Sequence, residues 1–451
     1  MRGPPELPLR LDRSARDRLH GPARELILDV RAPHELVEDL FRHRYGRLVS
    51  GLVRRLGPAR IDLAEDVVAE AFLRALRAWP AEGVPEQPDA WVFRVANNLA
   101  LDTLRRRAEL AGADLGADEH AVQPNAARAE PGDGPADDTL RMMFTCCHPA
   151  LPADARVPLV LKTVCGFGVS EIAAALLAME AAIAQRLTRG KARLQGLGAR
   201  FEVPPPRELV ERLPPVLDAL YLMFNEGYRA HRGEDLVRAD LVEEAVRLAT
   251  LLTEDEHTAR PEVHALLALM YFSGARLPAR VDAFGDVLTL AEQDRSRWDR
   301  RWLTHGFAQF RRSIAGERLT PWHVEARIAS LHAVAADYAS TDWGAILAAY
   351  DQLVAIADTP VVRLNRAVAL AKVAGPRAGL DELATLGAAP ELDRYGLAAA
   401  VVAHLHWQLG EHAQALEHFQ RALGLACTGP EARLLARRRD ACREHAPAPA
   451  W

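Results

Sequence analysis

The chain has 451 residues, 49% of them hydrophobic, so it can bury more than one core and is long enough for about three domains. A net charge of −5, no apolar run near the roughly 18 residues that span a bilayer, and an N-terminus (MRGPPELPLRLDRSARDR) without a continuous apolar segment exclude a membrane-spanning protein and leave no secretory leader in view. Five cysteines with no CxxC pair exclude a disulfide framework and point to a reducing, cytoplasmic compartment.

Residues 1–30 mix Pro, Arg and Asp without periodicity and read as a mobile arm, with helix beginning near Ala23. From Pro33, Leu36, Leu40, Phe41, Tyr45, Leu48, Val49, Leu52 and Val53 recur at helical spacing up to Gly57 and Pro58, opening a unit expected over 31–107. A second helix is predicted over 63–79, stopped by Pro80, with Val68, Phe72, Leu76 and Trp79 inward. Asp62, Glu65, Asp66 and Glu70 make its outer face acidic. Asp62 is placed as N-cap with Glu65 three residues later, so these acids suit the helix dipole as well as a protein partner. After a Pro- and Gly-containing loop at 81–89, a helix over 90–108 carries Trp91, Val92, Val95, Ala96 and Leu99 on one face and Arg94, Asn97, Asn98 and Arg105 elsewhere. Amides and arginines match base edges and phosphates, although arginines at a helix end also complement its dipole.

Charge is segregated along the next hundred residues. Residues 108–137 hold seven acids and one base among Ala, Gly and Pro, and read as a flexible acidic linker, whereas 138–200 hold eight bases and four acids. Within the basic segment, TCCHPAL sets Cys146, Cys147 and His148 side by side. Consecutive helical side chains diverge by about 100°, a poor arrangement for one metal, so buried thiols are expected and no metal is assigned. The stretch from Gly168, GVSEIAAALLAMEAAIAQRLTRGKARL, reads as a helix-turn-helix. Ile172, Ala173, Leu176 and Leu177 face Ile183, Leu187 and Ala192, while Arg186, Arg189, Lys191 and Arg193 suit phosphates and Gln185 and Arg186 would reach base edges.

Prolines at 204–206 mark a boundary, after which amphipathic helices continue over 207–340. Gly375 and Gly410 then lie 35 residues apart, each between two helical patterns, and Ala415, Phe419 and Ala422 recur as in the second helix of a tetratricopeptide repeat (TPR); a short solenoid is expected over 341–451. Asn225, Glu226, Asp294, Arg295, Arg297 and Asp299 lie among aromatics and are read as an interdomain network, with Asn225, Glu226, Asp294 and Arg297 its chief members. His404, His406, His412 and His418 fall at repeat positions and read as packing or solvated faces. There is no Gly-rich phosphate loop, nucleophile elbow or HExxH, so neither enzymatic activity nor a cofactor is expected.

The order of these parts resembles bacterial RNA polymerase sigma factors of the extracytoplasmic function group. DLAEDVVAEAF from Asp62 resembles the acidic motif of region 2, AWVFRVANNLALDTLRRR its W-x-x-x-x-A-x-N-x-x-x-D-x-x-R-R, and SEIAAAL with QRLTRGKARL region 4. Ala69 departs from the usual Gln, Gly168 from a Thr or Ser cap, and Ala182 from a Thr of the recognition helix. TCCHPAL, YLMFNEGY and AEQDRSRWDR further resemble the subgroup with a TPR-type C-terminal extension. The resemblance implies an all-α fold of region 2, linker, region 4 and helical extension. It implies that Asp62, Glu65, Asp66 and Glu70 meet the clamp helices of the largest core polymerase subunit, and that Arg94, Asn97, Asn98 and Arg105 meet the melted minus-10 DNA. It places Gln185, Arg186, Arg189, Lys191 and Arg193 on the minus-35 element. A protein partner for the extension is expected, with cis regulation of the sigma core. A helix-turn-helix regulator with a sensor or protein-binding domain is the alternative, and would not need the acidic helix.

Overall fold

The computed structural model describes residues 33–110, 137–198, 201, 204–231, 236–386, 389–425 and 428–450. The proposed N-terminal arm and nearly all of the proposed acidic linker lie outside them, as does Cys427. Among the described residues there are nineteen α-helices and no strand, only an isolated bridge between Val281 and Val287. The fold is all-α, as the periodicities predict.

Helix α1 (Pro33–Leu56) buries Val49, Leu52, Val53 and Leu56, and a 3-10 turn (Pro58–Arg60) leads into α2 (Ile61–Glu82). α2 extends past both expected ends. Pro80 is accommodated in its last turn, and Gly83, at φ 89°, stops it by returning its N–H to Trp79. Arg60 rather than Asp62 is the N-cap, leaving the Asp62 carboxylate free for other partners. α3 (Pro88–Leu110) also runs past its expected end, so 108–110 are helix rather than linker. Asp137 accepts hydrogen bonds from the N–H groups of Thr139 (2.8 Å) and Leu140 (3.2 Å), starting α4 (Asp138–Cys146).

α5 (Ala153–Thr163) supports the helix-turn-helix formed by α6 (Val169–Ala175) and α7 (Glu180–Gly196). The inward stripe of α7 is Ile183, Leu187, Gly190 and Leu194; Ala192 is exposed. Nine residues at about 100° each set Ala192 opposite Ile183, so it cannot belong to the same inward stripe.

The extension begins with α8 (Pro206–Tyr228), α9 (Ala239–Glu254), α10 (Pro261–Gly274), α11 (Arg300–Ser313) and α12 (Pro321–Val334). One apolar cluster runs from Leu36 of α1 through Ile183 and Leu194 of α7 to Phe272 of α10. Among the described residues no break in burial separates the sigma-like helices from the extension. Small satellite cores follow under α13 (Trp343–Ile356), α14 (Pro360–Ala374), α15 (Pro376–Ala384), α16 (Pro390–Asp393), α17 (Gly396–Gln408), α18 (His412–Gly424) and α19 (Gly429–Arg443). Gly375 (φ 92°) and Gly410 (φ 74°) turn the chain between helices, as their positions predict. The last helix returns to the first part of the extension. Glu431 pairs with Arg229 at the end of α8, and Arg433 (2.6 Å) and Arg437 both hold Asp286.

Candidate polymerase and nucleic-acid surfaces

Helix propensity and the 3.6-residue repeat put Asp62, Glu65, Asp66 and Glu70 on α2, but they do not share one open face. Asp66 is exposed and Glu70 pairs with Arg74 at 3.1 Å, whereas Glu65 is 7% exposed. The cause is α7, which lies against this face. The Lys191 ammonium sits 2.7 Å from Asp62 Oδ1 and 2.7 Å from Glu65 Oε2, and Gln195 Nε2 donates to Asp62 Oδ2 at 2.7 Å. Burial pushes the Glu65 carboxyl up, against the pull of Lys191. Burial also lowers the Lys191 ammonium, but Glu65 and Asp62 outweigh it and hold it above its usual range. Lys191 is the side chain on which Glu65 depends.

The other basic residues of α7 are folded back onto their own unit. Arg186 (3.3 Å) and Arg189 (3.0 Å) share Asp154 of α5, and Arg193 donates to the Ala150 carbonyl at 3.3 Å; Gln185 is exposed. Upstream, Gly168 takes the capping position, with the Glu171 carboxylate accepting from its N–H. On α3, Arg94, Asn98 and Arg105 are exposed, while Asn97 accepts from Arg55 at 3.1 Å. This face lies open.

α1 and the segment after α5 meet as closely as backbones allow. A Cβ on Gly46 would stand 2.0 Å from the Val164 carbonyl oxygen, so only glycine fits there. The extension ties both sides together. Glu244 of α9 pairs with Arg47 of α1 (3.3 Å), Arg247 with Asp137 at the head of α4 (2.9 Å), and Arg238 with Glu171 of α6 (3.4 Å). None of Asp154, Gln195, Arg238, Glu244 or Arg247 was singled out by the sequence, because each signals itself only through a partner remote in the chain.

The expected polar network divides in two. Asn225 bonds Tyr221, and Glu226 pairs with His231 (3.2 Å) beside Arg238, next to region 4. Asp294 is instead spent capping a 3-10 turn through the Ser296 N–H, and Arg297 is exposed. Arg295 performs the bridging in that motif, donating to the His332 (2.6 Å) and Ala335 (2.7 Å) carbonyls at the end of α12. Asp299 caps α11. Cys146 and Cys147 are buried, with burial pushing the Cys146 thiol up to about 12 and Cys147 well above its ordinary value. Among the described residues Glu171, Glu226 and His231 have ligand atoms within 4.8 Å of one another, but the Arg238 guanidinium, 3.4 and 3.9 Å from the two carboxylates, already supplies the positive charge a metal would bring. His406 pairs with Glu411 and stacks on His418, and His404 is buried beside Trp407.

No helix among the described residues is long and apolar enough to cross a membrane. Residues 41–109 match the family described as Sigma-70 region 2, residues 141–194 match Sigma-70, region 4, and residues 212–314 match a family of unknown function, DUF6596. An uncharacterized protein of Rhizobium meliloti (strain 1021) is 40% identical over 375 residues, covering 82% of this chain and 88% of its own. A probable RNA polymerase sigma factor, RfaY, of Xanthomonas campestris pv. campestris is 30% identical over 193 residues, 39% of this chain and 46% of its own. No solved structure matches. Regions that bind core polymerase and promoter DNA thus occur in their proper order, and the chain belongs to the sigma-70 family of transcription initiation factors.

Proposed function

We propose that the chain is a sigma factor of the extracytoplasmic function group whose TPR-like extension regulates it in cis by holding regions 2 and 4 together. The observation that carries this reading is Lys191, which lies between Asp62 and Glu65 at 2.7 Å from each. The same residues are proposed for two other tasks. Asp62, Glu65, Asp66 and Glu70 would meet the clamp helices of the largest polymerase subunit, and Gln185, Arg186, Arg189, Lys191 and Arg193 the minus-35 duplex. In the arrangement described, polymerase and duplex each compete with the other half of the sigma core. Arg94, Asn97, Asn98 and Arg105 remain for the minus-10 strand, where stacking and amide contacts would offset the few kcal/mol needed to extrude a base. The units proposed are region 2 over 31–107, the linker over 108–137, region 4 over 138–200, a helical brace over 207–340 and TPR-like repeats over 341–451.

Gly46→Ala tests this without touching a proposed polymerase or DNA contact. The added methyl cannot fit against Val164, and alanine in a helix interior is itself favourable by about 1 kcal/mol, so α1 stays folded while regions 2 and 4 part. The expected result is tighter binding of core polymerase and more run-off transcript from genomic fragments than the unaltered chain gives. Unchanged core affinity with a retained helical spectrum rules out the closed state as a control; no promoter-dependent transcript from either protein rules out sigma activity.

A further inference from the structure

Where α8, α12 and α13 meet, Glu325 differs from the arginine-paired acids of the extension. Glu244, Asp286, Glu382, Glu411 and Glu431 are each held by an arginine. Among the described residues no Arg, Lys or His pairs with Glu325; its hydrogen-bond donor is the Tyr221 hydroxyl at 3.0 Å. Arg327, two residues along α12, turns away to donate to Gln352 at 3.1 Å. Around the carboxylate the side chains are aromatic. The Tyr221 and Trp322 ring centroids lie 4.7 Å apart with planes tilted by 54°, forming a corner, and Tyr350 of α13 lies close enough to feel the charge of Glu325. Asn225, one turn from Tyr221, bonds the same phenol. Tyr221, Asn225, Trp322, Glu325 and Tyr350 are all half-buried, so each keeps surface open to solvent.

Such a corner has one electrostatic sign. Aromatic faces are the negative side of the ring quadrupole, and here they add to a carboxylate that the protein has partly desolvated without supplying a cation. Burial pushes the Glu325 carboxyl up to about 7, a shift the Tyr221 hydrogen bond offsets only in part. An anion would be repelled and a neutral ligand would leave the desolvation cost unanswered. A cation answers it while its apolar stem covers the rings.

We propose that Glu325, Trp322, Tyr221 and Tyr350 form a recognition site for a guanidinium or alkylammonium group, carried either by an arginine or lysine of a peptide partner or by a free amine. The site is independent of the polymerase reading, and its test is direct binding. The full chain is titrated by calorimetry with methylguanidinium in one arm and with acetyl-Gly-Arg-Gly-amide in the other, and tryptophan fluorescence is compared with that of Trp322→Phe. Saturable binding is expected in at least one arm, weakened about tenfold or more by Glu325→Gln, which keeps the shape and removes the charge. Saturation by peptide alone assigns a peptide partner, and saturation by both assigns the cation itself. Trp322→Leu, which removes a ring face and leaves the carboxylate, is the second variant and is also expected to weaken binding. Absence of saturation in both arms, or equal affinity in a folded Glu325→Gln protein, overturns the proposal.

Discussion

Glu65 lies beneath Lys191 at 7% exposure, so removing the lysine leaves a carboxylate on which burial acts almost alone. Lys191→Met is expected to cost about 1–2 kcal/mol, less than the 3–5 kcal/mol of a fully sealed pair because Asp62 is half open to water. Faster amide exchange across 61–70 would register the loosened contact; unchanged exchange would count against Lys191 as a fastener. Glu325 gives a pH prediction. Its folded pKa of about 7 exceeds the ordinary 4.5, so the unfolded chain loses this proton first, and stability falls as pH rises from about 4.5 through 7. Glu325→Gln should therefore raise the melting temperature at pH 8 and leave it nearly unchanged at pH 4. The gain is on the order of 1 kcal/mol, since the group keeps contact with water. The burial of Cys146 and Cys147 was legible from sequence, since free cysteine is among the residue types most often buried. The burial of Glu65 was not, because the periodicity of α2 describes one helix and cannot register another laid across its acidic side.

Among the elements, α3 is the one whose proposed nucleic-acid face is open as drawn from sequence. Arg94 and Asn98 point to solvent, and substitution of exposed residues ordinarily changes stability by less than about 0.5 kcal/mol. Arg94→Ala with Asn98→Ala should leave melting temperature and core binding intact while reducing open-complex formation, measured by permanganate reactivity of promoter thymines. An unaltered footprint would remove this face from the minus-10 assignment. α7 is legible as a helix with a basic side, but its partners are not. Asp154 belongs to α5 and Asp62 to α2, and spacing along one helix carries no information about either. The motif AEQDRSRWDR misled for a related reason. Its alternating charges suggest a network, yet Asp294 and Asp299 cap the turns on either side of Trp298, and Arg295 reaches carbonyls rather than carboxylates.

At the scale of the molecule, the all-α class and the order of the parts were legible because hydrophobic period and Gly/Pro punctuation act locally. The continuity of the core was not, since the apolar cluster joining α1, α7 and α10 is built from helices far apart in the chain. Glu244→Arg should repel Arg47 of α1 across the contact and Arg247 within α9, loosening α9 from region 2. Transcription by the full chain is expected to rise, more at low salt than at high, in a run-off assay; an equal response at both salt concentrations would mean that these pairs are not the brace. The return of α19 onto Asp286 and Arg229 also has a meaning in time. The ribosome completes Lys191 well before Arg437, and at ordinary rates of synthesis of about 5–20 residues per second the interval is roughly 10–50 s. During it, regions 2 and 4 are both outside or leaving the ribosome while the arginines that close the extension do not yet exist. Each molecule of this factor therefore passes through a period with its extension unclosed, and the speed of translation over its second half sets how long that lasts.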